Sequence, residues 1–180
     1  EATEARLRRV LGTREVVHVA THGVLNPRNP LFSRLELAEG RGMPEDDGRL
    51  EVHELLGVSV ESPVVFLSGC NTGMSGAGVG SRESGADYAT LAQAFLFAGA
   101  DNVIATLWPV EDAGASAFTS EFYRALEGES PSRALTAAQR AMLSSDEYES
   151  PFYWAAYQAI GDDFFGLSGV EAQDPEPGSV

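Results

Sequence analysis

Three short apolar runs limit what this chain can fold into: residues 15–21, residues 63–68 and residues 102–108. Each is bounded by turn-forming residues and is too short to be a buried helix, so each reads as a strand. The first, built around Val16-Val17-His18-Val19-Ala20, is apolar on both faces, which predicts a central parallel strand. Helical spacing fills the intervals. Residues 1–11 put Leu7, Val10 and Leu11 on one face and turn Arg6, Arg8 and Arg9 to solvent. Residues 51–56 suit a short helix. Residues 85–97 form a strong one, with Tyr88, Leu91, Ala92, Phe95 and Leu96 on its apolar side and Gly99 past its end. Two more are expected at about 112–127 and 131–144, the latter with Ser130 as N-cap and Pro131 in its first turn. Residues 24–50, rich in Gly and Pro, read as mostly loop, with an edge strand across 33–38. The run 152–160 reads as a last strand. Strands alternating with helices predict an α/β fold, a mainly parallel central sheet with helices on both faces.

Right-handed crossovers bring the ends of such strands to one edge of the sheet, where ligands bind in open α/β folds. The first run ends in His22-Gly23. The second turns through Ser68-Gly69-Cys70-Asn71-Thr72-Gly73, and the third into Pro109-Val110-Glu111-Asp112. Two strands that each deliver a chemically capable side chain at their exit are hard to explain by packing alone. Gly69 and Gly73 permit the tight turn that would expose the sulfur.

These stretches, with Asn29-Pro30-Leu31-Phe32-Ser33, residues 89–100 and Pro151-Phe152-Tyr153-Trp154-Ala155-Ala156, resemble the CHAT domain. This is a caspase-like cysteine peptidase module often joined to tetratricopeptide repeats, and a role in bacterial signalling or defence is the setting it implies. The resemblance runs in order over residues 1–162 and implies a caspase-like three-layer sandwich. It assigns residues 1–166 to the C-terminal, catalytic portion of that domain; residues 167–180, rich in Gly, Ser, Asp, Glu and Pro, read as a disordered tail. It also implies His22 as acid/base, Cys70 as nucleophile, and the Gly23 and Cys70 N–H groups as the oxyanion hole. Related peptidases that cut after basic residues hold the basic side chain with an acidic group after the third strand. That points to Asp112 first and Glu111 second, with Ser68 lining the same pocket. Asp112 has a second reading as the N-cap of the helix that follows. The sequence departs from the family at Asn71, where an acidic residue is usual.

The chemistry is consistent with those residue types. Amide hydrolysis by cysteine needs a thiolate, a proton carrier and an oxyanion site. A thiol's ordinary pKa of about 8.5 falls beside an imidazolium or a helix N-terminus. His18 alternates onto the same side as His22 and reads as a core or supporting residue; His53 reads as a surface residue of a short helix. Trp108, Trp154 and their neighbours read as core.

Composition sets the exclusions. The chain has 180 residues, 43% of them apolar, enough for one domain with a core. Its net charge is −15, which disfavours direct nucleic-acid binding. All twelve Lys+Arg residues are arginine, and the absence of lysine excludes a P-loop and any lysine Schiff base. Three histidines and one cysteine without ligand spacing predict no metal site, and no cofactor is implied. A lone cysteine demands no oxidising compartment, and no apolar run reaches the roughly 18 residues of a membrane span, so a cytoplasmic, membrane-free protein is expected. The chain opens on Glu1 rather than methionine and reads as a segment of a longer protein, with regulatory or sensor regions elsewhere. Residues 71–84 are expected to be a mobile loop, the Gly76–Gly80 run being an active-site flap or a plain linker. The function expected is endopeptidase cleavage of a specific protein substrate after a basic residue. The alternatives are a non-catalytic adaptor module of the same fold and, more weakly, a nucleotide-binding α/β domain.

Overall fold

The computed structural model describes residues 2–26, 28–40, 46–68 and 84–162, with the side chains of 84–90 excepted. Helix α1 (Glu4–Leu11) leads to β1 (Val16–Ala20) and β2 (Gly23–Val24). A 3-10 turn (Pro30–Phe32) precedes β3 (Arg34–Glu36), β4 (Arg49–Glu51) and α2 (Val52–Leu55). Then come β5 (Val64–Ser68), α3 (Ser84–Ala98), β6 (Asn102–Thr106), α4 (Asp112–Leu126), α5 (Pro131–Leu143), α6 (Pro151–Trp154) and β7 (Tyr157–Gly161).

The main sheet has the order β1-β5-β6-β7. β1, β5 and β6 are parallel, and β7 runs antiparallel to β6. Alternation along each strand feeds two cores. Val17, Val19, Val65, Leu67, Val103 and Ala105 face Leu7 and Leu11 of α1, Leu55 of α2 and Phe95 of α3. Phe66, Ile104 and Tyr157 face Phe118 and Phe122 of α4 and Ala138 and Met142 of α5. The result is three layers, helix on sheet on helix, as an α/β sandwich requires.

Four expectations change. Among the described residues β1 is an edge strand, not a central one: Val17 and Val19 are buried, while Val16, His18 and Ala20 are exposed. Its apolar second face misled because Val16 and Ala20 are small enough to tolerate water at an edge. The stretch 24–50, read as mostly loop, carries a second, three-stranded antiparallel sheet, β2-β3-β4, with Gly23 opposite Leu35 and Leu35 opposite Leu50. The strand expected across 33–38 is β3, which lies between β2 and β4 rather than at an edge; those two partners have two and three residues, too few for alternation to register. The expected last strand splits: Ser150 caps and Pro151 opens a helical turn, α6, before β7 begins at Tyr157. Finally, Glu111 rather than Asp112 holds the N-cap position of α4, and its side chain makes no capping hydrogen bond. The expected loop at 71–84 lies outside the described residues except for Ser84, the first residue of α3, and the tail at 167–180 lies wholly outside them.

Candidate active site

Thr21-His22-Gly23, just past β1, is held from two sides. The Thr21 N–H donates to the Ser68 carbonyl at 3.2 Å, continuing the ladder to β5. The Thr21 hydroxyl donates to the Glu36 carbonyl, and the Glu36 N–H donates back to the His22 carbonyl at 2.8 Å. This bond flanks the Gly23–Leu35 pair, which makes it the non-hydrogen-bonded kind and turns the Gly23 N–H away from β3. The little β2-β3-β4 sheet therefore fixes the exit of β1 without using the donor that the resemblance assigns to an oxyanion.

The ends of β1, β5 and β6 meet at one cavity of about 710 Å³. Its walls include His22 from the β1 exit, Ser68 from the last position of β5, Thr106 and Tyr157 from β6 and β7, and Pro109, Val110, Glu111 and Asp112 from the segment entering α4. The structure brings four of the residues singled out in the sequence, His22, Ser68, Glu111 and Asp112, to one opening. Cys70 lies outside the described residues, as do Gly69 and Asn71. Among the described lining residues the fixed charges are the two carboxylates, and no arginine joins them. Glu111 accepts a hydrogen bond from the Tyr153 hydroxyl at 3.2 Å. The negative charge of Glu111 holds the Tyr153 phenol above its ordinary range.

One polar pair was not singled out by the sequence. The His18 Nε2 lies 2.6 Å from the Ser68 Oγ, across the β1–β5 pairing. The His18 ring tilts against Phe66, with centroids 4.7 Å apart, and against Tyr123 of α4 at 5.8 Å. Part of His18 remains open to solvent at the sheet edge, yet these rings cover enough of it for desolvation to pull its pKa below 6.5. The signal available in the sequence was register: parallel pairing of β1 with β5 sets His18 opposite Phe66 and next to Ser68 on one face. Tyr123 is buried deeply enough to push its phenol up to about 12, and its hydroxyl has no hydrogen-bond partner among the described residues. His53 is exposed on α2, its Nδ1 3.2 Å from Glu51. Trp108 and Trp154 are half-buried beside the second core, each indole N–H donating to a backbone carbonyl, those of Phe152 and Glu149.

No group of His, Cys, Asp and Glu among the described residues could hold a metal ion, and no described helix is long and apolar enough to cross a membrane. A family model for the CHAT domain matches residues 1–162. The chain belongs to the CHAT domain family. Two curated relatives agree. Tetratricopeptide repeat protein 28 of Mus musculus is 30% identical over 193 residues, covering 90% of this chain. Its namesake in Homo sapiens is 29% identical over the same span. This CHAT chain covers 8% of the length of either relative, and both are named for tetratricopeptide repeats. The mainly parallel sheet between two helical layers is the caspase-like architecture that the family implies.

Proposed function

We propose that this CHAT domain is a cysteine endopeptidase that cleaves a protein substrate after a basic residue. The observation that carries the reading is the acidic cavity at the strand exits. His22 stands on one wall, Glu111 and Asp112 stand on another, and no cationic side chain among the described residues neutralises them. A carboxylate pair there suits a guanidinium, which binds carboxylates through paired hydrogen bonds. Ser68 lines the same cavity.

In this reading the Cys70 thiolate attacks the scissile carbonyl carbon, and the carbonyl electrons move onto oxygen. The Gly23 and Cys70 N–H groups stabilise that oxyanion. His22 protonates the departing amine as the C–N bond breaks. It then takes a proton from water, which hydrolyses the thioester and returns Cys70. The roles of Cys70, His22 and Gly23 come from family membership, residue by residue. The Gly23 assignment is supported by the hydrogen-bond pattern that leaves its N–H unspent on β3. The domain would act within a longer, cytoplasmic protein whose other regions sense a signal or present the substrate.

The test is intact-mass labelling with peptide acyloxymethyl ketones carrying Arg, Lys, Asp or Leu at P1. The thiolate forms a thioether with the methylene carbon and expels the carboxylate, and Cys70 is the sole thiol. Rapid labelling by the Arg and Lys probes, lost in His22→Ala, is expected. Labelling confined to the Asp or Leu probe would keep the peptidase and remove Glu111 and Asp112 from the substrate site. A second reading, a non-catalytic adaptor, is favoured by Asn71 replacing the family's usual acidic residue. It predicts no labelling by any probe, and partner binding that survives Cys70→Ala.

A further inference from the structure

We infer that His18 is a positioning residue that fixes the polarity of the Ser68 hydroxyl, making Ser68 an acceptor for a cationic substrate side chain. This rests on the acidic cavity described above and extends the basic-residue reading to a residue outside it.

Hydrogen-bond capacity decides what Ser68 can offer a ligand. A serine hydroxyl has one proton to give and two lone pairs. Ser68 lines the cavity, and its Oγ lies 2.6 Å from His18 Nε2. When Nε2 carries no proton, it accepts the Ser68 O–H, and the serine's lone pairs are left for the cavity. A guanidinium or ammonium, which has donors only, then finds an acceptor beside Glu111 and Asp112. When Nε2 carries a proton the bond reverses. The Ser68 O–H turns toward the cavity, and its donor opposes the ligand's donors. The imidazolium adds a like charge. His18 therefore sets whether the wall welcomes a cation.

The surroundings favour the neutral imidazole, whose Nε2 accepts the Ser68 O–H when the ring proton sits on Nδ1. Phe66 of β5 and Tyr123 of α4 lie against the ring, and neither is charged: the Tyr123 phenol is held far above neutral pH. On the outer side of β1, Arg6 of α1 and Glu36 of β3 border the groove that His18 also lines, one charge of each sign. No carboxylate pairs with the imidazole among the described residues, whereas His53 does have one in Glu51. Desolvation lowers the His18 pKa in the same direction.

The experiment uses Cys70→Ala protein, so that binding is read without turnover. The affinity of N-acetyl-arginine methylamide and of its neutral isostere N-acetyl-citrulline methylamide is measured by calorimetry from pH 7.5 to 5. The arginine ligand is expected to bind more tightly than the citrulline one at pH 7.5, and this preference should shrink about 10-fold as pH falls below 6.5. His18→Phe and Ser68→Ala should each remove about 10-fold of the preference at pH 7.5, and the double variant should remove no more than either. His18→Gln, whose amide oxygen can still accept the Ser68 O–H, should restore preference and abolish its pH dependence. Circular dichroism of each variant separates these effects from misfolding. An arginine preference unchanged by Ser68→Ala and by pH would overturn the inference, as would absence of arginine binding. If the peptide ketones fail to label Cys70 but the arginine preference still depends on His18 and Ser68, the peptidase reading falls and this one stands.

Discussion

Glu4 is a carboxylate that is 1% exposed, and its position in α1 explains how a charged residue can sit so deep. One oxygen accepts the Gly48 and Arg49 N–H groups at 2.9 and 3.1 Å, and the other meets Arg8. A buried charge persists only when its lone pairs are satisfied in this way. Glu4→Ala is expected to cost about 1–3 kcal/mol in urea unfolding, because it strands the Gly48 N–H, while the Arg49 N–H keeps the Asp47 carboxylate as acceptor. Glu4→Gln, which keeps an acceptor, should cost less. The opposite sign is expected at Tyr123, whose hydroxyl is buried without a partner among the described residues. Tyr123→Phe removes that hydroxyl and should leave stability unchanged or raise it by about 1 kcal/mol. At the site, Asp112→Asn and Glu111→Gln should each slow labelling by the Arg probe about 10-fold while sparing the Leu probe. Losing one charged hydrogen bond is worth about that much.

At the scale of elements, the parallel strands and long helices were legible because each carries enough residues for its period to show. β5 and β6, nearly all buried, read as unbroken apolar runs, and α3, α4 and α5 lie within two residues of their expected bounds. Of the small sheet only β3 was legible, inside the alternating run 33–38. Gly23, Leu35 and Leu50 become one cross-strand row only after the 26 residues between Gly23 and Leu50 have folded back, and nothing local announces that pairing. The same holds for the site. His22 could be named because strand exits converge by topology, and Ser68, Glu111 and Asp112 because the family resemblance pointed to those exits, whereas the His18–Ser68 bond depended on the register of β1 against β5. The stitching of α1 was also hidden, since Asp46 accepts the Glu4 N–H from 42 residues away. Element ends carry their own test. At the end of β7, Gly161 has φ +141°, and a Cβ there would lie 2.1 Å from the Asp101 carbonyl oxygen. Gly161→Ala should therefore lower the melting temperature, with a cost of at least about 1–3 kcal/mol, since backbone rather than a movable side chain is in the way.

For the molecule as a whole, the net charge of −15 and the acidic cavity act together. A cationic probe should be drawn in at long range, and raising ionic strength from 0.01 to 0.15 M shortens the Debye length from about 30 to about 8 Å. The second-order labelling rate of the Arg probe should fall several-fold over that range, while that of the Leu probe should hardly change. Stability should respond to pH through His18 as well. Its folded pKa lies below the ordinary 6.5, so the unfolded chain takes up the proton first as pH falls. The contribution is complete above 6.5 and is lost as pH drops toward the lower, folded value. The difference in unfolding free energy between the native chain and His18→Gln should narrow across that window. Both tryptophans anchor to the segment around α6: Trp108 donates to Phe152, and Trp154 donates to Glu149. The chain thus carries its own optical reporter on one side only. Indole emission will follow the layer built from α4, α5 and α6, next to the cavity, while the layer of α1, α2 and α3 stays dark. Any intermediate that keeps one layer and loses the other would separate in fluorescence from circular dichroism, with no label attached.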